Sequence, residues 1–394
     1  MIGSRLLWAA AGFALAATLP AAPTASGAPA RPRVAFIVES WYPHSHADVI
    51  GTRLLEGYRV GERVYPAPAT VASVYPVAPR PTDQTRALAA RYGFRLAGSI
   101  AEALQGAGAP SRLGVDGILV ATREDPSEAG ESPSPTPRLQ QMREIYRILD
   151  QTGSRVPVFI DKMLAANWQD SQTIVTEAVR RGIPLMAGSV LPFTPLDRPV
   201  RRGKPEVAVV MAAGPYWALA FHAAELLQGY LERRGPRETG VASVREVGRG
   251  YATMPDRDRW GGRVFDALLA SGRTRRGRGG EEGQVLLIQY ADGTRAVLAL
   301  VPRAFDEAEF LLGAQFADGT ISTGGLVLPH EPFDHFGYLV HALAELYTTG
   351  RSPVPVERTL LTTGIVLAGL QARVGGGAVM WPSLAVTYPV APRP

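Results

Sequence analysis

From residue 31 onward, short runs that are apolar at nearly every position alternate with longer stretches patterned as amphipathic helices. The runs are "RVAFIV", "TVASVYPV", "DGILVAT", "VPVFID" and "IPLMAGSV", and between them lie segments such as "TDQTRALAARYGF" and "RLQQMREIYRILDQTG". A strand without a polar face cannot border water on either side. Joining such strands through helices sets them parallel, with helices over both faces. Residues 31–200 are therefore predicted to form a doubly wound parallel α/β sheet. Ligands of such sheets bind in the crevice beyond the carboxyl ends of the strands. The run "VPVFID", followed by the helical pattern "DSQTIVTEAVRRG", puts Asp161 and Lys162 at one of those ends.

After about residue 200 the pattern changes. One strong helix, "YWALAFHAAELLQGYLERRG", precedes "TGVASVREVG", "QVLLIQYADGTRAVLALV" and "EFLLGAQFADGTISTGGLVL", in which Asp-Gly and Gly-Thr dipeptides between apolar runs are hairpin signals. Residues 201–394 are thus predicted to be an α+β domain, a largely antiparallel open sheet with helices on one side, the late helix "VERTLLTTGIVLAGLQARV" among them. A chain of 394 residues with 46% hydrophobic content suits two cores. "GESPSPTP" at 130–137 reads as a loop. "YPVAPRP", present at 75–81 and again at the end of the sequence, reads as a local echo and not as an architectural repeat.

The opening segment has one arginine, an apolar run from Leu6 to Leu19 and then small residues and prolines. It is read as a secretory signal peptide over residues 1–28, so the mature protein is expected to be exported, without a membrane span. The sequence has no cysteine, which excludes disulfides, thiolate metal sites and a cysteine nucleophile. The formal charge of +5 comes from arginines spread along the chain, and the one dense run, "RTRRGRGGEEG" at 273–283, suits a solvated loop; no nucleic-acid partner is expected.

Of the 41 basic residues only Lys162 and Lys204 are lysine. Arginine does not give up its proton in a protein, whereas lysine does so readily when partly buried, so a lysine at a strand end suits proton transfer. Lys204, in the loop "RRGKPE", is read as surface. His222 and Glu225 stand one turn apart in an apolar helix and share a face. In "WYPHSHADVI", His44, His46 and Asp48 alternate; an extended chain would aim all three one way, and His-x-His is a usable chelate. The other readings of that stretch are a turn whose histidines cap the next helix and a ligand contact through His46. His330, His335 and His341, in "PHEPFDHFGYLVH", are assigned to a surface loop, although the first two could rim the cleft.

The order of these segments resembles the Gfo/Idh/MocA family, the glucose-fructose oxidoreductases and inositol dehydrogenases, over nearly all of the mature chain. The parts are "HSHADV", "TRALAARYGFRLAGSIAEAL", "VDGILVAT", "VPVFIDKMLA" in the place of a Glu-Lys-Pro segment, and "AFHAAELL" in the place of a histidine-bearing helix. The resemblance implies a Rossmann-like domain, a substrate-binding and oligomerisation domain, NAD or NADP as cofactor, and oxidation or reduction of a sugar or polyol by a homo-oligomer. It makes Lys162 and His222 the catalytic pair, supported by Asp161 and Glu225. Ser40, His44, His46, Tyr216 and Trp217 become contacts of cofactor or substrate, with the aromatic pair stacking on a sugar ring.

The sequence also departs from that pattern. Val38, Ser40 and Pro43 stand where the G-x-G-x-x-G glycines would, and Tyr75 and Pro76 stand near the place of the acidic residue that would hold the ribose. Ala218 replaces the aspartate of the proton relay. These departures leave two alternatives beside the oxidoreductase: a non-redox carbohydrate lyase or hydrolase, metal-assisted through His44, His46 and Asp48, or a binding protein without catalysis.

Overall fold

Eight strands and five helices are built from residues 33 to 188: β1 (Arg33–Val38), α1 (His46–Glu56), the hairpin β2 (Tyr58–Val60) and β3 (Arg63–Tyr65), β4 (Thr70–Pro76), α2 (Thr85–Tyr92), β5 (Arg95–Leu96), α3 (Ile100–Gln105), β6 (Gly117–Ala121), α4 (Arg138–Thr152), β7 (Val158–Asp161), α5 (Trp168–Arg181) and β8 (Leu185–Gly188). The computed structural model describes residues 30–106, 111–127, 129–274 and 283–390. The proposed signal peptide and most of the arginine-glycine run lie outside the described residues.

Six of these strands form one parallel sheet in the order β5-β4-β1-β6-β7-β8. Strands are added outward from β1 in one direction and then from β6 in the other, which is the Rossmann arrangement, and the crevice opens where the order reverses. The apolar runs explain the placement: Val34 to Val38 in β1 and Val158 to Ile160 in β7 are fully buried. The helices between them end where their sequences direct. Asn167 caps α5 by accepting the Asp170 N–H, and Gly182 closes it in the left-handed conformation at φ 63°.

The chain continues as β9 (Val207–Ala212), α6 (Tyr216–Leu231), β10 (Arg237–Glu238), β11 (Val241–Glu246), α7 (Gly262–Ser271), β12 (Gln284–Tyr290), β13 (Arg295–Leu300), β14 (Glu309–Gln315), β15 (Ile321–Val327), α8 (Phe336–Thr349), α9 (Val356–Gly375), β16 (Ala378–Val379) and β17 (Tyr388–Pro389). A seven-stranded sheet runs β15-β14-β9-β13-β12-β11-β16, antiparallel except between β9 and β13. The predicted hairpins form at Asp-Gly: Tyr290 N–H reaches Thr294 O at 2.9 Å and Phe316 N–H reaches Thr320 O at 3.0 Å. Helices α6 and α9 pack on one face. On the other face Tyr251, Val264, Phe265 and Leu268 cover Val209, Met211 and Val297, so helices lie on both sides and not on one. The echoed "YP" pairs do different work, the first ending β4 and the second pairing as β17 with β10.

From Arg31 on, the chain packs as one compact unit, and α9 ties the two sheets together. Its threonines face both ways: Thr359 donates to Ala187 O at 2.7 Å, Thr363 accepts from Leu164 N–H, and Thr362 donates to Glu225 at 2.6 Å. Helix α8 docks on α1 and β2. It does so through Gly337, where an added Cβ would overlap the Arg59 carbonyl. That close approach carries His335 and Phe336 to the mouth of the crevice.

Candidate active site

The stretch "ESWYPHS" crosses from β1 to α1, over the switch point of the sheet. Its polar groups turn inward on the chain itself. Ser45 caps α1 and accepts the Asp48 N–H. The Asp48 carboxylate accepts from His44 N–H at 2.9 Å, from the Trp41 indole N–H at 3.2 Å and from the Thr52 hydroxyl at 3.1 Å. Asp83 accepts from the Ser40 hydroxyl and from Trp41 N–H, both at 2.8 Å, and Tyr42 N–H donates to Ser45 Oγ at 3.2 Å. The Trp41 indole is wholly buried, stacked on Phe36 at 5.9 Å and on Phe94 at 6.0 Å, and covers Gly51.

This geometry separates the three residues that alternate in sequence. The segment is not extended: His44 turns at φ 66° and α1 has begun by His46. His44 Nε2 pairs with Glu331 and its ring meets Phe333 edge-on at 5.1 Å, His46 faces Asp161, and Asp48 is engaged by the loop. Among the described residues no group of three or more metal-ligating side chains could hold an ion, so the His44, His46 and Asp48 chelate is not formed. Ser40, a proposed ligand contact, is buried and committed to Asp83 and to the Arg80 N–H.

At the end of β7 the backbone is forced into an unusual shape. Lys162 has φ 65°, a region costly for a residue with a Cβ, and its N–H bonds Gly188 O at 3.0 Å. The turn sends neighbouring side chains into the same crevice, Asp161 toward His46 and Lys162 beside them. Among the described residues no hydrogen bond or ion pair engages the Lys162 ammonium. His46 Nδ1 lies 2.7 Å from Asp161 Oδ2, with the oxygen off the line of a ring N–H. Burial pushes the Asp161 carboxyl up, but His46, Lys162 and Arg138 together outweigh it and hold it below the usual carboxylate range. The base of the turn is a buried guanidinium: Arg138 donates to Thr122 O at 2.5 Å, Met163 O at 3.0 Å and Asp161 O at 3.4 Å.

Helix α6 supplies the facing wall. His222 Nδ1 is 2.6 Å from Ser189 Oγ, which leaves Nε2 for a ligand. Burial, reinforced by the charges of Lys162 and His46, pushes this imidazole down to about 3, so it is neutral near pH 7. Glu225 does not share that role. It is fully buried behind the wall, accepting from Thr362 at 2.6 Å and from Ser189 N–H at 3.2 Å, and burial pushes its carboxyl up. Tyr216 is also turned away, its hydroxyl donating to Val366 O at 2.6 Å. Trp217 is 58% exposed and borders a shallow depression with Arg123 and Ser132. Lys204 bonds Asp292 O at the surface, as expected.

His46 and His44 border two adjoining spaces. One is the crevice with Lys162, Arg123 and Glu124; the other is a cavity of about 250 Å³. Five of the six histidines, His44, His46, His222, His330 and His335, line that cavity, with Leu219, Phe310 and Phe336 as apolar wall. Of the three assigned to a surface loop, His335 is buried, pushed down to about 4 by burial first and then by Arg53 and His46. His341 lies on α8 and meets the Tyr58 hydroxyl at 3.0 Å. His330 and His341 are both exposed. Sequence reasoning allowed His330 and His335 a place at the rim of the cleft but preferred a surface loop, because the residues that bury His335 lie about 280 residues away. It missed Arg138 because one arginine among many carries no local signal.

No protein-family model matches the chain, and no curated protein does. Solved structures do. GenD2 from gentamicin A biosynthesis, in complex with NAD, matches at a TM-score of 0.58 and 16% identity over 92% of this chain and 99% of its own. The chain has the Gfo/Idh/MocA fold. Scyllo-inositol dehydrogenase from Lactobacillus casei, with NAD(H) and scyllo-inositol, matches at 0.56 and 13% identity over 89% of this chain and 99% of its own. WlbA dehydrogenase from Bordetella pertussis, with NADH and UDP-GlcNAcA, matches at 0.52 and 14% over the same shares.

The crevice residues do not fit a dinucleotide gripped in the way a glycine loop grips one. Pyrophosphate is held by free amides at the start of the first helix, close to its positive end. Here the amides of Trp41, Tyr42, His44, Ser45 and Asp48 are already bonded and Pro43 has none, which leaves those of His46 and Ala47 at the helix start. The Asp48 carboxylate itself sits at the helix start.

Proposed function

We propose that the chain is a divergent Gfo/Idh/MocA-type oxidoreductase acting on a neutral sugar or polyol, exported after loss of residues 1–28. The observation that carries this reading is the convergence of Lys162, the Asp161–His46 pair and the Ser189–His222 pair on one crevice and cavity. Each pair spans two segments of the chain, and all meet at the edge where α/β sheets bind ligands. GenD2, scyllo-inositol dehydrogenase and WlbA hold NAD-type dinucleotides, the last two together with scyllo-inositol or UDP-GlcNAcA, which supports the redox class.

In this reading Lys162 exchanges a proton with the substrate hydroxyl or carbonyl. Asp161, kept ionised, holds His46 beside the lysine, and His46 relays between crevice and cavity. His222, neutral, accepts or donates one hydrogen bond to the sugar through Nε2. The histidine cavity has no arginine or lysine in its lining, which suits an uncharged substrate. Self-association is part of the proposal, and its surface is not the outer sheet face, which α7 covers.

One observation favours a second reading, a non-redox lyase or hydrolase using the same acid–base groups: the closed β1–α1 loop. Extraction of the purified mature chain, with mass spectrometry for nicotinamide dinucleotides, separates the two. Dinucleotide near one per chain supports the oxidoreductase. Its absence, together with no NADH binding by fluorescence, removes that class and moves the lyase or hydrolase to first place.

A further inference from the structure

Helix α6 borders a second cavity, of about 320 Å³, beginning one turn beyond His222. The proline-rich strap from Leu191 to Gly203 forms its outer wall and is held tight against the helix. At Gly229 an added Cβ would stand 3.0 Å from Pro192, and the Tyr230 hydroxyl donates to Arg201 O at 2.8 Å. Phe193, Leu196, Val200, Leu226 and Leu312 give the cleft an apolar body, and Arg202 and Arg233 stand on its lining.

The charges around it do not cancel. Arg201 is taken by Asp318 at 2.6 Å, but among the described residues Arg202 and Arg233 have no ion pair. The nearest acid in sequence, Glu232, turns inward: Oε1 lies 3.5 Å from Arg358 and Oε2 accepts from the Tyr388 hydroxyl at 3.2 Å. Arg358 is wholly buried, lies 5.5 Å from the Phe193 ring centre, and has Nε and one terminal nitrogen without a partner among the described residues. Glu225, the other acid near Arg358, is bonded to Thr362 and Ser189 and is pushed toward its neutral form by burial. Desolvation and the neighbouring Arg202 both act against the Arg233 charge, which a bound anion would relieve. An apolar cleft with uncompensated guanidiniums on its lining is complementary to a ligand with an apolar body and a single negative group.

We infer that this cleft is a binding site for an amphipathic anion of the medium-chain carboxylate class, its chain on Phe193, Leu196 and Leu226 and its carboxylate on Arg202 and Arg233. The site is separate from the acid–base centre; Leu191 alone borders both cavities.

The test uses the full mature chain with anilinonaphthalene sulfonate as fluorescent probe and octanoate, octanol and acetate as competitors. The expected result is probe fluorescence displaced by octanoate at a concentration at least tenfold below that needed for octanol, with acetate ineffective. The double variant Arg202→Ala, Arg233→Ala, at two exposed positions, is expected to keep its melting temperature and to weaken octanoate competition tenfold or more. A probe that does not bind, octanol competing as well as octanoate, or a double variant with unchanged competition overturns the assignment. Competition lost in Arg202→Ala, Arg233→Ala and regained in Arg202→Lys, Arg233→Lys supports charge recognition.

Discussion

The two ends of the switch-point crevice are built in opposite ways. At the β1–α1 end most of the loop's polar groups are spent on the chain: Asp48 and Asp83 collect five donors between them from Ser40, Trp41, His44 and Thr52, and Trp41 is locked between two rings. At the β7 end a strained turn presents a lysine whose ammonium has no bonded partner among the described residues, beside an ionised aspartate. Satisfied hydrogen bonds stabilise; unsatisfied, perturbed groups in a cleft mark chemistry. The difference teaches that one end of the crevice is closed by its own side chains while the other presents a lysine and an ionised carboxylate to the open space, the arrangement on which the proposed chemistry rests.

The sharpest break of that comparison is Lys162→Ala. If the β7 end is the chemical half, kcat falls by about 10²–10⁴, the range of a lost general acid or base. The melting temperature should hardly move, since alanine keeps the Cβ that makes φ 65° costly and the ammonium has no bonded partner among the described residues. Turnover measured on the proposed substrate class, neutral sugars or polyols, decides it, and an unchanged kcat would take Lys162 out of the site.

Glu225→Ala tests the wall behind His222 and should do the reverse, costing stability first. It strands the Ser189 N–H in a buried place, leaves the Thr362 hydroxyl only Thr359 O as acceptor, and opens space beside Gly188. A loss of about 1–3 kcal/mol is expected from the one unmet group. Urea unfolding reads it, and a variant as stable as the parent would show that the strut carries no load.

Much of this was legible in the sequence and some was not, for physical reasons. Near-continuous apolar strands and Asp-Gly turns are local signals, so both sheets, both hairpins and the position of Lys162 at a strand end could be read directly. The missing glycines at Val38, Ser40 and Pro43 correctly pointed to an altered loop. What replaces them could not be read, because Asp83 lies some 40 residues from Ser40 and the bonds are between side chains and loop amides. Glu225 and His222 share a helical face by spacing, yet α9 packs so that one is buried and the other lines the cavity. The alternation of His44, His46 and Asp48 misled because a helix cap at Ser45 broke the extended geometry it assumed.

The cavity histidines give a pH signature that sharpens the contrast between the two halves. His222 and His335 are pushed down to about 3 and about 4, while unfolded histidine titrates near 6.5. Below about pH 6.5 the unfolded chain binds protons that the folded one refuses. Their stabilisation is therefore full above that pH and is lost as pH falls toward 4, with a slope of up to about 1.4 kcal/mol per pH unit for each ring. Glu124 and Glu225, pushed up by burial, act in the opposite sense above their unfolded range, so the histidine contribution is read as a difference. The unfolding free energy of the parent minus that of His335→Phe should slope between pH 6.5 and 4 and be flat above 7; a flat difference throughout would mean that the ring charges freely in the fold.

The smallest expected effect addresses the loop end. Asp48→Ala removes the acceptor for His44 N–H, the Trp41 indole and Thr52, and takes a carboxylate away from the start of α1. Loss of a helix-capping network of this kind costs about 1–2 kcal/mol. The same change frees the His44 amide and lifts the negative charge from the positive end of the helix, the place where a pyrophosphate would settle. If self-satisfaction is what closes this half, the variant should be slightly less stable by urea unfolding and should bind NADH more tightly than the parent by fluorescence. Tighter binding would make Asp48 the gate of the crevice. Equal binding with the expected stability loss would place the barrier on Trp41, whose indole remains packed against Gly51 whatever stands at position 48.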